Sequence, residues 1–98
     1  MKGEKMRVET WVTWFPAREA NLENKEFKQR MYHERFFLVR PASGEQVRIE
    51  GEFFQVTHFF HDTDAQRLQI CLQPELRHTE AEAQVRVSEL EQKGWKKA

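Results

Sequence analysis

The chain has 98 residues, of which 39% are hydrophobic, 33% charged and 12% aromatic, a size that suits one small domain and excludes two ordinary ones. Sixteen basic residues balance sixteen acidic ones, so the formal net charge is zero, which counts against a dedicated duplex-binding protein. Eight Phe and three Trp exceed what a disordered chain carries, so we expect one folded domain over residues 1–98 with an aromatic core.

A single cysteine, Cys71, excludes an intramolecular disulfide and a zinc site built on several thiolates. This cysteine usage is typical of a reducing compartment, so the expected location is cytoplasmic. No apolar run approaches the roughly 18 residues that a membrane-spanning helix needs. The first residues carry no apolar segment of the signal-peptide kind, and we expect residues 1–5 to be disordered.

The first predicted strand covers residues 8–15, which are almost all β-branched or aromatic. Alternation places Val12 and Trp14 on one face and Trp11 and Phe15 on the other. Because both faces carry bulky apolar side chains, both need a cover. Trp11 and Phe15 are therefore the candidate anchors of a protein interface.

Residues 17–32 are polar, and the pattern fits either a short helix capped by Asn21 or Asn24, or a long exposed loop. A second strand is predicted over residues 33–40, where apolar side chains point to both faces. Pro41 and Gly44 then mark a compact turn.

Apolar and polar residues alternate over residues 45–50. The apolar side chains stand at odd-numbered positions before Gly51 and at even-numbered positions after it. Two geometries produce this shift: a tight hairpin at Glu50-Gly51, or one long strand with a glycine bulge. We favour the hairpin, which places Val47 opposite Phe54.

The next hairpin joins the strand that carries Phe54 to a strand over residues 67–73. Apolar residues that face each other must lie on one side of the sheet, which requires a connection with an odd number of residues. A five-residue loop over residues 61–65 satisfies this condition. The predicted inner pairs are Phe60 with Gln66, His58 with Leu68, Val56 with Ile70, and Phe54 with Leu72.

Pro74 ends this strand, and residues 79–93 form the predicted C-terminal helix. Thr79 and Glu82 have capping-box spacing, and Gly94 stands where a helix would stop. The alternation of Ala81, Ala83, Val85 and Val87 is the pattern of a competing strand. The abundance of Glu, Gln and Ala favours the helix.

The predicted fold class is therefore mainly β, with a β core over residues 6–74 and the helix after it. Five short antiparallel strands form a meander, most economically curled into a partly closed barrel of the SH3-like or OB-like kind. Curling hides the sheet edges and gives the aromatic residues an interior.

One cluster has the composition of a metal site: His58, His61, Asp62 and Asp64 lie within seven residues. On a strand, however, His58 and His61 point to opposite faces, and Asp-Thr-Asp is the usual sequence of a polar turn. The turn is the favoured interpretation, and we expect no metal and no other cofactor. In the predicted register His58 is an inner residue and Cys71 an outer one, which separates them as a nucleophilic pair.

A second candidate surface combines cations with aromatic rings: Arg35, Phe37, Phe59 and Arg67. Cations beside rings on a sheet are what single-stranded nucleic-acid platforms use. Core or interface packing explains the same rings, and the zero net charge favours that explanation.

The function that the sequence favours is a non-enzymatic β domain that acts through contacts with a protein partner or with itself. Single-stranded nucleic-acid binding on the aromatic and basic face is the alternative. A metal-dependent enzyme at residues 58–64 ranks third, and no membrane association is expected.

Overall fold

The structure, a computed structural model, describes residues 3–14 and 27–98. Within these residues the chain is mostly β, with one helix. The elements are β1 (Glu4–Trp14), β2 (Phe27–Phe37), β3 (Gln46–Ile49), β4 (Glu52–Asp62), β5 (Arg67–Leu72), β6 (Glu75–Arg77), α1 (Glu80–Gln92) and β7 (Lys96–Lys97). None of the described helical residues form a segment long and apolar enough to cross a bilayer.

The sheet is mixed and curls into a half-barrel. Its strand order is β3-β4-β5-β1-β2-β7, with β6 also paired to β1. β1 pairs antiparallel with β2 and parallel with both β5 and β6. The expected five-stranded antiparallel meander is therefore wrong in strand number and in direction, because β5 returns beside β1 and not at an edge.

β1 is the central strand, which explains why its sequence is bulky on both faces. Met6, Val8, Thr10, Val12 and Trp14 are all buried on the face toward α1. Residues 1–5 were expected to be disordered, yet β1 begins at Glu4 and pairs with β2 without a break to Trp14.

β5 and β6 form one interrupted line along β1. Pro74 has no N–H to donate, so the ladder stops there as predicted, but it resumes at Glu75. Thr10 Oγ1 donates to the carbonyl of Gln73 at 3.2 Å, and Thr13 Oγ1 donates to that of Glu75 at 2.9 Å. These side chains hold the line together where the backbone ladder is interrupted.

β2 begins six residues earlier than predicted, so residues 27–32 belong to a strand. Asn21 and Asn24, the candidate helix caps, lie outside the described residues, as does Phe15.

The hairpin at Glu50-Gly51 is confirmed. Val47 pairs with Phe54 and Ile49 with Glu52. Both turn residues have positive φ, 49° at Glu50 and 85° at Gly51, as the two-residue hairpin of primed type requires. Glu is strained there, but the matched twist of the strands favours the turn.

The predicted register of the β4–β5 hairpin is wrong throughout, because Val56 pairs with Leu72 and not with Ile70. Asp62 pairs with Arg67, so the connection has four residues, and Phe59 pairs with Ile70. A bulge at Thr57 absorbs the parity change, and Val56 pairs with Leu72. Phe54, Val56, Ile70 and Leu72 stay in the core as predicted, because one extra residue in β4 does what the odd loop was expected to do. Phe60 and His58, predicted to be inner residues, lie on the opposite face.

The helix prediction is confirmed. Thr79 Oγ1 accepts a hydrogen bond from the Glu82 backbone N–H at 3.2 Å, and Gly94 has a φ of 93° just after the helix. Ala83, Val87 and Leu90 pack into the core against the inner face of the sheet. Trp95 follows them into the core, with its ring against His33 and Phe54.

Candidate interaction surface on the sheet

α1 covers the inner face, and no other helix of residues 3–14 and 27–98 covers the opposite side of β1, β2, β5 and the last five residues of β4. We call this side the outer face. β1 contributes Lys5, Arg7, Glu9, Trp11 and Thr13. Their β2 partners are Phe36, Glu34, Tyr32, Arg30 and Lys28. On the other side of β1 follow Arg67, Gln69 and Cys71 of β5, paired with Asp62, Phe60 and His58 of β4.

Glu9 lies at the centre of the outer face and is only 6% exposed. Arg7 Nε donates to Glu9 Oε1 at 3.1 Å, and Gln69 Nε2 donates to Oε2. Arg30 Nε lies 3.6 Å from Oε1. The carboxylate buried among these donors accepts their hydrogen bonds and orients two guanidinium groups on the surface.

Aromatic rings and cations alternate around this centre. The Arg7 guanidinium lies 3.8 Å above the Tyr32 ring. Half-buried Trp11 has Lys28 Nζ at 5.9 Å and the Arg30 guanidinium at 5.8 Å from its ring centroid. These distances are within the range of cation–π attraction.

The outer face also exposes apolar side chains. Phe36 is 59% exposed and Phe60 is 54% exposed. Large rings of this kind, beside arginines and a tryptophan, are the side chains that anchor interfaces.

The charges of the outer face are not balanced as those of the whole chain are. Five cations stand against three carboxylates, an excess of two positive charges. Helix α1, on the opposite side, carries four glutamates and one arginine, an excess of three negative charges. The zero net charge therefore conceals a separation of charge between the two sides.

The four residues predicted for nucleic-acid binding do not share a face. Phe59 pairs with buried Ile70, and both Phe59 and Phe37 pack against the core. Arg35 forms an ion pair with Glu50, at 2.5 Å, between β2 and the β3–β4 hairpin. Only Arg67 belongs to the outer face. The bulge at Thr57 turned Phe59 inward, and Arg35 pairs with buried Met6, which places Arg35 and Phe37 on the inner side of β2.

The metal-site candidates do not converge. His58 lies on the outer face and His61 opposite Leu68 on the inner one. Asp62 Oδ1 accepts the backbone N–H groups of Asp64 and Ala65 at 3.1 and 3.0 Å, the bonding of a polar turn. Within residues 3–14 and 27–98, no three His, Cys, Asp or Glu side chains are grouped to hold a metal ion.

The expected separation of His58 and Cys71 is wrong, because the two residues pair directly across β4 and β5 on the outer face. His58 Nδ1 nevertheless lies 3.0 Å from Thr57 Oγ1. Burial raises the pKa of the Cys71 thiol, and the charge of Glu9 raises it further. Both causes disfavour the thiolate that a nucleophile requires.

Glu9, Arg7, Arg30 and Tyr32 were missed as a group by the sequence analysis. A signal was present in Arg7-Val8-Glu9, where two opposite charges occupy the same face of an otherwise apolar strand. Their neighbours from β2 and β5 are supplied only by the tertiary pairing.

Comparison with protein families, with curated protein sequences and with solved structures gave no match to this chain.

Proposed function

We propose that this protein is a non-enzymatic interaction domain that binds an acidic segment of a protein partner on the outer face of its sheet. The observation that carries the proposal is the surface around Trp11, which joins a half-buried tryptophan and exposed phenylalanines to an excess of two positive charges. Trp and Arg, with their large contact area and charge, are the usual energetic centres of interfaces.

Charge argues for a different protein in this role and against a second copy of the same face. Two basic faces placed against each other would repel, whereas an acidic segment complements the surface and speeds association. Phe36 and Phe60 supply apolar contacts on either side of the charged centre.

Photo-crosslinking in the native cell tests the proposal. A photoreactive amino acid at Phe60, on the outer face, is compared with the same amino acid at Phe53, which is 66% exposed on β4 before the bulge. We expect Phe60 to crosslink to a protein through a net-acidic segment, and Phe53 to give no such product. Trp11→Ala should abolish the Phe60 product while circular dichroism stays unchanged.

Crosslinks to a second copy of this chain, to a basic segment, or equally from both positions would contradict the proposal.

Single-stranded nucleic acid is a second candidate occupant, supported by Trp11 between Lys28 and Arg30. Bases stack on exposed rings, and flanking cations contact phosphates. Two features weigh against this candidate. The Arg7 guanidinium already covers the Tyr32 ring, on which a base would stack, and the carboxylate of buried Glu9 lies at the centre of the same face. Nuclease-sensitive crosslinks at Phe60, with affinity for oligonucleotides that falls as salt rises, would favour this candidate.

A further inference from the structure

A pocket of about 410 Å³ lies on the outer face between β1, β4 and β5. Arg67, Arg7 and Arg30 surround it, and Phe60, His58 and Cys71 complete most of the wall. Its volume is in the range of small-ligand sites, which run from about 300 to 1,000 Å³.

Arg67 is the unusual member of this wall. Its Nε atom is buried and has no hydrogen-bond partner among the described residues. The carboxylate nearest in register, on Asp62, is engaged by the turn, where its Oδ1 accepts two backbone N–H groups. A buried donor left without a partner destabilises the folded chain, so such a group calls for an explanation by water, ion or ligand.

The charge around the pocket leaves room for one negative group. Three arginines face two carboxylates, those of Glu9 and Asp62, an excess of one positive charge. Glu9 accepts from Arg7 and Gln69, while Arg30 stays at 3.6 Å. Among the three arginines of the pocket, Arg67 is the one with no carboxylate at contact distance in the described part of the chain. Glu34 is near enough for Arg67 to add to the lowering of its pKa, but its carboxylate is paired with Lys5 at 3.2 Å, the main cause of that lowering.

From this arrangement we infer that the pocket receives an oxyanion, a carboxylate or a phosphate, attached to an apolar or aromatic group. The planar fork of Arg67 offers paired N–H donors in the geometry that oxyanions accept. Phe60, 54% exposed at the rim, contacts the attached group. This inference deepens the proposed function and rests on it, because the oxyanion is the anchor of the acidic partner segment.

Small anions test the pocket without the partner. In NMR titrations that follow the arginine Nε–H resonances and the backbone amides, phenyl phosphate and benzoate are the two probes. Inorganic phosphate carries only the anionic group, and benzyl alcohol carries only the aromatic group, so these two compounds are the controls. We expect saturable shifts at Arg67 and at the amide of Phe60, weaker binding of inorganic phosphate, and no binding of benzyl alcohol.

Arg67→Gln should weaken binding of the better probe about tenfold or more, the loss of charge-assisted hydrogen bonds. Arg67→Lys keeps the positive charge but lacks the planar guanidinium fork, so it should retain only part of the wild-type affinity for the probe. Arg40→Gln, outside the pocket, should leave binding unchanged. A preference for phenyl phosphate identifies the anchor as a phosphate, and a preference for benzoate as a carboxylate.

The inference is overturned if shifts never saturate, if they affect every arginine alike, or if the Gln variant binds as the wild type does. If Trp11→Ala removes an acidic crosslink at Phe60 but the anions cause no saturable shifts, the inference is overturned and the proposed function stands. Arg67-dependent anion binding without any acidic protein crosslinked at Phe60 would overturn the proposed function alone.

Discussion

Arg86 shows how one residue fixes the helix to two strands. Its guanidinium is buried, with Nε 2.8 Å from one oxygen of Glu75 and Nη2 3.0 Å from the other. Nη2 also lies 2.9 Å from Glu52 Oε1, and Nη1 lies 3.3 Å from Glu89. Burial alone would lower the pKa of Arg86, but its hydrogen bonds to Glu75 and Glu52 raise that pKa by more, so the side chain stays a cation.

Arg86→Ala should therefore lower the free energy of unfolding by about 1–3 kcal/mol, because it leaves the partly buried carboxylates of Glu75 and Glu52 with only Arg77 and Lys93 as cations. Urea denaturation measures the change. The matched control is Arg40→Ala, an exposed arginine whose loss should matter by no more than about 0.5 kcal/mol. Equal effects of the two variants would show that the cluster contributes nothing.

The same cluster predicts a dependence of stability on pH. Burial raises the pKa of Glu52, but hydrogen bonds from Arg86 and Lys93 lower it more, so the folded pKa lies below the ordinary value of 4.5. The stabilisation is present above the unfolded pKa and is lost as pH falls through the folded one.

Denaturation curves between pH 6 and pH 3 should show this loss below about pH 4.5. Glu52→Gln, which does not titrate, should show a smaller decline over the same interval. A parallel decline in both proteins would assign the acid sensitivity to other carboxylates.

At the scale of elements, the bulge at Thr57 decides what the outer face contains. Thr57 Oγ1 donates to the carbonyl of Cys71 at 3.0 Å, and Ser43 Oγ donates to the Thr57 carbonyl at 2.7 Å. These contacts hold the extra residue at one position along β4. This extra residue determines which face of the sheet each side chain from His58 to Asp62 occupies.

Deletion of Thr57 should keep the fold, because removal of the extra residue leaves Val56 inward and His58 outward. Deletion of Gln55, which precedes Thr57 on the same strand, should unfold the hairpin because it moves Phe54 to the other face of the sheet. Cross-strand NMR contacts between Phe59 and Ile70 report the register. Loss of those contacts in the Thr57 deletion would disprove the assigned role of the bulge.

On the scale of the molecule, the C-terminal residues close the core. The sequence around Trp95 has the composition of a basic, solvated tail, yet Trp95 is 2% exposed and β7 pairs with β2. The Cβ of any residue at position 94 would lie 2.9 Å from His33 Nε2, and the φ of 93° there also favours glycine.

Trp95→Ala should cost about 3–5 kcal/mol of unfolding free energy through lost burial and a cavity. Lys97→Ala, in the neighbouring exposed position, should have little effect. Thermal unfolding distinguishes the two. A Trp95 variant as stable as the wild type would mean that the tail is not part of the core.

The sequence by itself determined the local elements whose signals lie within a few residues. Thr79, Glu82 and Gly94 mark the helix ends, because caps act on the nearest backbone groups. Gly51 marks the β3–β4 hairpin, and alternation places Val56, Ile70 and Leu72 together in the core.

Only the tertiary structure decided the pairing partners of β1 and the residues of the outer face. Parallel pairing of β1 with β5 joins residues about sixty positions apart, for which no local pattern exists. One bulged residue reversed the faces of His58, Phe59 and Phe60, since strand side chains alternate with a period of two. The site around Glu9 and Arg67 exists because long-range pairing brings β1, β2, β4 and β5 together, and alternation within single strands carries no information about that.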